Sequence, residues 1–392
     1  MNLRIAMLST YPPTQCGIAT FSRSLATAIS ETGVDVNIVR VGGSKESATN
    51  SVVIADHDSK SDTARTIRAL NDHDIVIVQH EFGIYGGDDG VELLEILSGL
   101  TVPFISVLHT VAAYPTPGQQ HVVQTLLNTS ETVVVLSESA LSSLIRSHDV
   151  HKRRVRVIPH GAPSLSAPKR GVEIRTRPRI LTWGLLGEGK GIEWGIEALA
   201  QLHNVDPLPE YFVVGQTHPK VVQRDGYRYR EHLENLAGKL GVADHVHFMD
   251  GYLDSAALAR VITSADFYLL PYDARDQVTS GVLAEAMVAG GPVIATRFPH
   301  AVELLGDGTG ALVDHQNPSD IADALQRLIL QPQIRNQMRS QTRIKSAKFL
   351  WPSVGEEFNQ LAHSIIDEQR NPRRGAILKR EPAVRVALSA VS

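Results

Sequence analysis

Short apolar runs alternating with stretches of helical period, carried along the chain twice, limit the fold more than any other feature. In the first half, segments 3–9, 34–39, 74–79, 103–108, 132–136 and 155–159 read as strands. Between the first two, Ile18, Phe21, Leu25 and Ile29 recur at steps of three and four, the spacing of an amphipathic helix. In the second half the strand segments are 179–183, 211–215, 245–249, 266–271, 292–296 and 311–313, with helical stretches such as 192–202 and 321–330 between them. This alternation specifies parallel sheets with helices on both faces, here in two copies. Segment 162–178 carries three prolines and no periodicity, which marks a linker. The expected organisation is an N-terminal unit over 1–165, a second over 175–350, a docked helix over 351–368 and a basic tail over 369–392. Val354, Phe358, Leu361 and Ile365 share one face of that helix.

A chain of 392 residues is long enough for two or three domains, each with its own core. Its single cysteine, Cys16, excludes a disulfide framework and a cysteine zinc site. No charge-free run reaches the roughly 18–20 residues of a membrane span; the nearest, 96–108, is broken by Gly99 and Pro103. The first ten residues read as a strand containing Arg4, not as a secretory signal. A net charge of −4, from 38 basic and 42 acidic residues, gives no electrostatic case for a nucleic-acid partner. The expectation is a soluble, cytoplasmic enzyme. Six basic residues within 370–385 face Glu381 alone. That tail reads as a solvated terminus or as a peripheral contact with the inner membrane surface, at about 1 kcal/mol per charge.

Three segments could carry chemistry. The first strand runs into Tyr11-Pro12-Pro13-Thr14-Gln15-Cys16-Gly17-Ile18 and then a helix. A helix N-terminus beyond a parallel strand offers free N–H groups to an anion, and Gly17 would let a ligand approach the backbone. The loop lacks both G-x-G-x-x-G and a Walker lysine, so dinucleotide and P-loop readings lose weight. Second, the run from Leu270 to Ala295 reads as strand, polar loop, helix capped by Thr279 or Ser280, glycine stop and buried strand. Ser280 and Gly281 would present amides to a diphosphate at the positive end of the helix dipole. One turn further, Glu285 suits two vicinal hydroxyls such as those of a ribose; the alternative is an ordinary solvated glutamate. Third, Trp183-Gly184-Leu185-Leu186-Gly187-Glu188-Gly189-Lys190-Gly191 is a glycine-rich loop whose Lys190 could neutralise a departing phosphate, unless it is surface charge only. His80 and Glu81 end a strand. They do not form H-E-x-x-H, because position 84 is Ile84. No D-x-D stands in a donor-loop context, and no third ligand accompanies the pairs His148/His151 or His245/His247, so no metal is expected.

In this order and spacing the segments resemble the GT-B glycosyltransferases of the large retaining family 4, over nearly the whole chain. The resemblance is carried by Pro12-Pro13 with Gly17-Ile18-Ala19-Thr20-Phe21, by Val107-Leu108-His109-Thr110 and by Val157-Ile158-Pro159-His160-Gly161. The Lys190-Gly191 loop, the run Ser280-Gly281 to Glu285 to Gly291-Pro292-Val293-Ile294-Ala295, and the helix after Trp351, which the resemblance implies crosses back to the N-terminal domain, complete it. It implies an α/β fold of two Rossmann-like β/α/β domains facing a central cleft, with the acceptor on the N-terminal side and the donor on the C-terminal side. It further implies retaining transfer of a hexose from a nucleotide diphosphate sugar, of GDP-mannose or UDP-glucose type, to a hydroxyl of a glycan, glycolipid or small molecule. No cofactor and no metal are implied. The catalytic residues would be His109 at the anomeric centre, Lys190 on the diphosphate, Gln277 on the sugar and Glu285 on the ribose. Gly17 and Ile18 would line the donor or acceptor loop and His80 and Glu81 the acceptor side; His160, Gly184, His218, Thr279, Ser280, Gly281 and Val282 complete the substrate-binding set.

Three positions depart from the family pattern. Leu185 replaces the phosphate-loop arginine, Gln277 replaces the first glutamate of E-x7-E, and His160 replaces the asparagine of Pro-Asn-Gly. The missing charge is expected from the segment holding His218, Lys220, Arg224, Arg228 and Arg230. A GT-B epimerase, a phosphorylase and a non-catalytic nucleotide-sugar binder are the competing readings.

Overall fold

The computed structural model describes residues 3–42, 52–55, 60–165, 176–251 and 253–371. Its strands are β1 (Arg4–Ser9), β2 (Asp35–Val41), β3 (Val52–Ala55), β4 (Ile75–His80), β5 (Phe104–Leu108), β6 (Thr132–Val135), β7 (Val155–Val157), β8 (Arg179–Trp183), β9 (Glu210–Val214), β10 (Val246–Met249), β11 (Phe267–Leu270), β12 (Val293–Thr296) and β13 (Ala311–Val313). They form a seven-stranded sheet of order β3-β2-β1-β4-β5-β6-β7 and a six-stranded sheet of order β10-β9-β8-β11-β12-β13. Every pairing is parallel. The first sheet thus has one strand more than the sequence suggested: β3, four residues in a polar stretch, which extends the edge beside β2.

Strands covered on both faces are continuous apolar runs, and every residue of β4 is buried. The strand order reverses between β1 and β4 in one sheet and between β8 and β11 in the other. Where order reverses, successive connections leave on opposite faces and open a crevice beyond the strand ends. β1 leads there into the helix Gly17–Ser30, β4 ends at His80, β8 ends at Trp183, and β11 leads into the helix Gly281–Ala289. All three segments with chemical promise therefore sit at the switch points.

The helix Trp351–Arg370 leaves the second unit and buries Val354, Phe358, Ala362, Ile365 and Ile366 in the core of the first, beside Phe21, Leu25 and Ile29. Backbones meet closely there: a Cβ on Gly355 would stand 2.7 Å from the Ala28 carbonyl carbon. In the other direction Val278 of the second unit joins the first unit's core. Among the described residues no helix is long and apolar enough to cross a membrane. Residues 372–392 of the basic tail and 166–175 of the linker lie outside the described residues.

Candidate active site

In the second unit the glycine-rich loop is laid against the chain that follows β11. Gly191 has φ +65°, and a Cβ there would stand 1.8 Å from the Pro271 carbonyl oxygen, so both conformation and space demand glycine. The Asp273 N–H donates to the Gly189 carbonyl at 2.9 Å, and Trp194 Nε1 donates to the Asp273 carboxylate at 3.0 Å. This clamp holds the Lys190 ammonium 4.3 Å from the centre of the Tyr272 ring. Burial lowers the Lys190 pKa, and among the described residues it forms no ion pair. A cation in a partly dehydrated place with only a π-face for company is a seat for an anion. Tyr272, which sequence reasoning did not single out, joins the parts: its buried hydroxyl, without a hydrogen-bond partner among the described residues, lies near Ser280 and within reach of the Glu285 charge.

The helix Gly281–Ala289 starts on a Ser280 cap, whose hydroxyl accepts the Leu283 N–H at 3.2 Å, and stops at Gly290 with φ +72°. Here the structure corrects an expectation. The Ser280 N–H does not face the cleft; it donates to His300 Nδ1 at 2.9 Å. With Leu283 taken by the cap and Ala284 bonded to the Ser280 carbonyl, the amides left for a ligand are those of Gly281 and Val282. Glu285, one turn on, accepts the Trp183 indole N–H through Oε2 at 2.7 Å, which orients the carboxylate; burial raises its pKa. Gln277 donates to the Thr279 carbonyl at 3.1 Å, and the buried Thr279 hydroxyl has no partner among the described residues. Gly184, with φ +116°, lies next to Val282.

Facing these from the first unit, Cys16 caps the helix that opens with Gly17 and Ile18; its sulfur accepts the Ala19 N–H at 3.3 Å. A Cβ on Gly17 would meet only open space. One turn in, the Phe21 ring lies edge-on to His109 at 4.6 Å, His160 at 4.9 Å and Trp351 at 5.2 Å, gathering three distant segments. His109 shares a 2.8 Å hydrogen bond between Nε2 and Gln79 Oε1. Burial and the nearby rings of His160 and His80 hold its pKa at about 3. His160 donates from Nδ1 to the Gly161 carbonyl at 2.8 Å, and its Nε2 lies 2.8 Å from where a Gly281 Cβ would be. His160 is therefore the contact between the histidines of the first unit and the donor helix of the second.

His80 lies beneath the cleft-facing residues of its strand end. It is fully buried against Phe82, with its pKa lowered to about 4 and no ring nitrogen partnered among the described residues. Glu81, only half-buried, accepts the Thr110 hydroxyl at 2.6 Å.

The arginines expected to replace the missing one are ion-paired, one of them to the glycine-rich loop itself. Arg224 pairs with Glu188 and Asp225, Arg228 with Asp225, and Arg230 with Glu234 and Asp250. His218 sits beside the glycine-rich loop, its N–H donating to the Leu186 carbonyl at 2.8 Å. The Lys220 side chain lies outside the described residues.

Residues 16–163 match the family described as Glycosyltransferase Family 4, and residues 177–331 match Glycosyl transferases group 1. A D-inositol 3-phosphate glycosyltransferase of Corynebacterium jeikeium is 27% identical over 310 residues, 72% of this chain and 70% of that protein. An alpha-D-kanosaminyltransferase of Streptomyces kanamyceticus is 24% identical over 68% of this chain and 72% of its own. Among solved structures, Anabaena Alr3699/HepE in complex with UDP and glucose superposes with a TM-score of 0.76 at 16% identity, over 93% of this chain and all of that one. That superposition gives the fold its name: both sheets and the cleft between them are those of a GT-B protein.

Proposed function

The chain belongs to glycosyltransferase family 4, and from that premise we propose that it moves a hexose from a nucleoside diphosphate sugar to an acceptor hydroxyl with retention at the anomeric carbon. The observation that carries the reading is the grouping around Tyr272. A lysine without an ion pair and two helix-terminal amides without a partner among the described residues converge with an indole-oriented glutamate on one side of the cleft, opposite the buried histidines on the other. A nucleoside diphosphate has matching parts. Its ribose hydroxyls suit the Glu285 carboxylate, and its phosphates suit the Gly281 and Val282 amides and Lys190.

Charge develops on the diphosphate as the bond to the sugar breaks. Lys190, already desolvated, would interact more strongly with that growing charge than a hydrated surface lysine would. His109 and Gln277 would orient the sugar so that the acceptor approaches from the leaving-group face. Kept neutral by burial, His109 offers hydrogen bonds without adding a charge that would oppose an oxocarbenium-like centre. Positioning and charge stabilisation together can supply most of such a barrier reduction. The acceptor side is formed by Gly17, Ile18 and Glu81. Inositol phosphate, a hydroxyl-rich anion named by several relatives, is the first acceptor to try.

The test is a thermal-shift panel of UDP-, GDP- and ADP-sugars. A ligand at 100 times its dissociation constant adds about 2.7 kcal/mol, a shift of several degrees. One nucleotide class is expected to stabilise the protein; a panel in which none does would overturn the donor assignment.

A further inference from the structure

His300 is a buried titratable group that the chemistry above leaves unused. It is 1% exposed and belongs to none of the segments singled out in the sequence. It touches the donor loop twice: its backbone N–H donates to the Gln277 carbonyl at 3.4 Å, and its Nδ1 accepts the Ser280 N–H at 2.9 Å. The four residues from Gln277 to Ser280 are thus held at both ends by one side chain and its own amide. An N–H donor facing Nδ1 requires that nitrogen to be unprotonated, which places the ring proton on Nε2. The short helix Pro299–Leu305 that carries His300 is itself anchored to the first unit. Glu303 accepts the N–H groups of Glu138 at 3.1 Å and Ser139 at 2.8 Å, and the Pro299 carbonyl accepts the Ser139 hydroxyl.

We propose that His300 is a positioning residue for the donor diphosphate: by taking the Ser280 N–H into the protein, it aims the next two amides, Gly281 and Val282, into the cleft. This rests on the nucleotide-sugar reading and adds to it a residue that touches no substrate. Without the Nδ1 acceptor, the Ser280 N–H is left buried and unpaired, and the first turn of the helix must rotate to find a partner. The Gly281 and Val282 amides would turn with it. The neighbouring charged and titratable groups, His160 and Lys348, both oppose a positive charge on the ring, so the neutral acceptor form is the one the site maintains.

The experiment uses UDP and GDP as probes in calorimetric titrations of the full chain and two variants. His300→Asn puts an amide oxygen where Nδ1 was and keeps the acceptor; His300→Leu keeps the bulk and removes it. Asn is expected to bind the preferred nucleotide within about threefold of wild type, and Leu about tenfold or more weakly, with Leu melting a few degrees lower while both stay folded at the titration temperature. Leu binding as tightly as wild type overturns the proposal, and so does an equal loss in Asn and Leu, which would assign the effect to packing of the ring. A third measurement depends on neither nucleotide nor Leu. In 15N-histidine-labelled wild type, the His300 Nδ1 resonance, identified by its loss in His300→Asn, is expected in the range of an unprotonated nitrogen. A protonated Nδ1 overturns the proposal. Failure of wild type to bind either nucleotide while Nδ1 remains an acceptor would instead bring down the donor reading.

Discussion

Lys190 sits where a cation is costly to the free protein and useful to the complex. Burial lowers its pKa, and the Tyr272 face 4.3 Å away is its only strong partner among the described residues. Replacing it with methionine keeps the reach and removes the charge. Lys190→Met is therefore expected to melt at or above the wild-type temperature without ligand, yet to bind a nucleoside diphosphate about 10–100-fold more weakly. Calorimetry with UDP and GDP beside a thermal melt checks both halves, and an undiminished affinity would remove Lys190 from the site. The lysine was legible because three glycines surround it in a strand-to-helix loop. Tyr272, Trp183 and His300 were not. A tyrosine, a tryptophan and a histidine in apolar segments look like ordinary core residues until the fold sets them beside Lys190, Glu285 and Ser280. His80 was legible as the end of a strand at the cleft, but its full burial against Phe82 was not.

Among the elements, the helix Trp351–Arg370 shows how far periodicity reaches. Its apolar face was plain from Val354, Phe358, Leu361 and Ile365, but periodicity does not say which unit the face covers; the structure supplies that. In the structure Leu361 is only half-buried, and Ala362 and Ile366 complete the contact with the first unit. The strands were equally legible, within a residue or two at most ends, because runs buried on both faces are apolar throughout. β3 was missed because a four-residue edge strand carries too little pattern to stand out from the polar residues around it. Phe358 is fully buried on the helix–helix seam where Gly355 meets Ala28. Phe358→Ala is expected to destabilise by about 3–5 kcal/mol. Because the helix belongs to one unit by chain and to the other by packing, the loss should loosen the contact between units first. Urea unfolding followed by Trp351 fluorescence should show an early transition absent from wild type; a curve superposable on wild type would mean the seam contributes little.

At the scale of the molecule, the two units meet through contacts that no local pattern encodes. Glu303 of the second unit accepts two amides at the start of the helix Glu138–Ser147 of the first, where the helix dipole favours a negative charge. Glu303→Gln keeps the shape and removes the charge, at an expected cost of about 1–2 kcal/mol in this partly buried geometry. X-ray scattering should then give a larger radius of gyration, and an unchanged radius would show that the other contacts alone hold the cleft. The same meeting of units brings His80, His109, His160 and His300 into one region from four segments, with pKa values lowered to about 4, 3, 4 and 3. Burial is the first cause in each, and mutual repulsion adds to it for His109 and His300. Each native pKa lies below the unfolded value of about 6.5, so the unfolded chain takes up protons that the native state refuses. Stability is accordingly full above about pH 7 and falls as the pH drops from 6.5 toward 4. Each fully buried histidine steepens the fall by up to about 1.4 kcal/mol per pH unit, and His80 and His300 qualify without discount for exposure. Glu285 works in the opposite sense. Its raised pKa lets the native state bind a proton more readily than the unfolded chain, which offsets part of the loss. Four histidines against one glutamate leave a net fall, so melting temperatures measured at pH 7.5, 6.5, 5.5 and 4.5 should drop with increasing steepness. His300→Asn should flatten that slope by one proton's worth. A melting temperature constant down to pH 4.5 would mean that the histidines accept protons in the folded protein, and that the neutral wall opposite Lys190 does not exist.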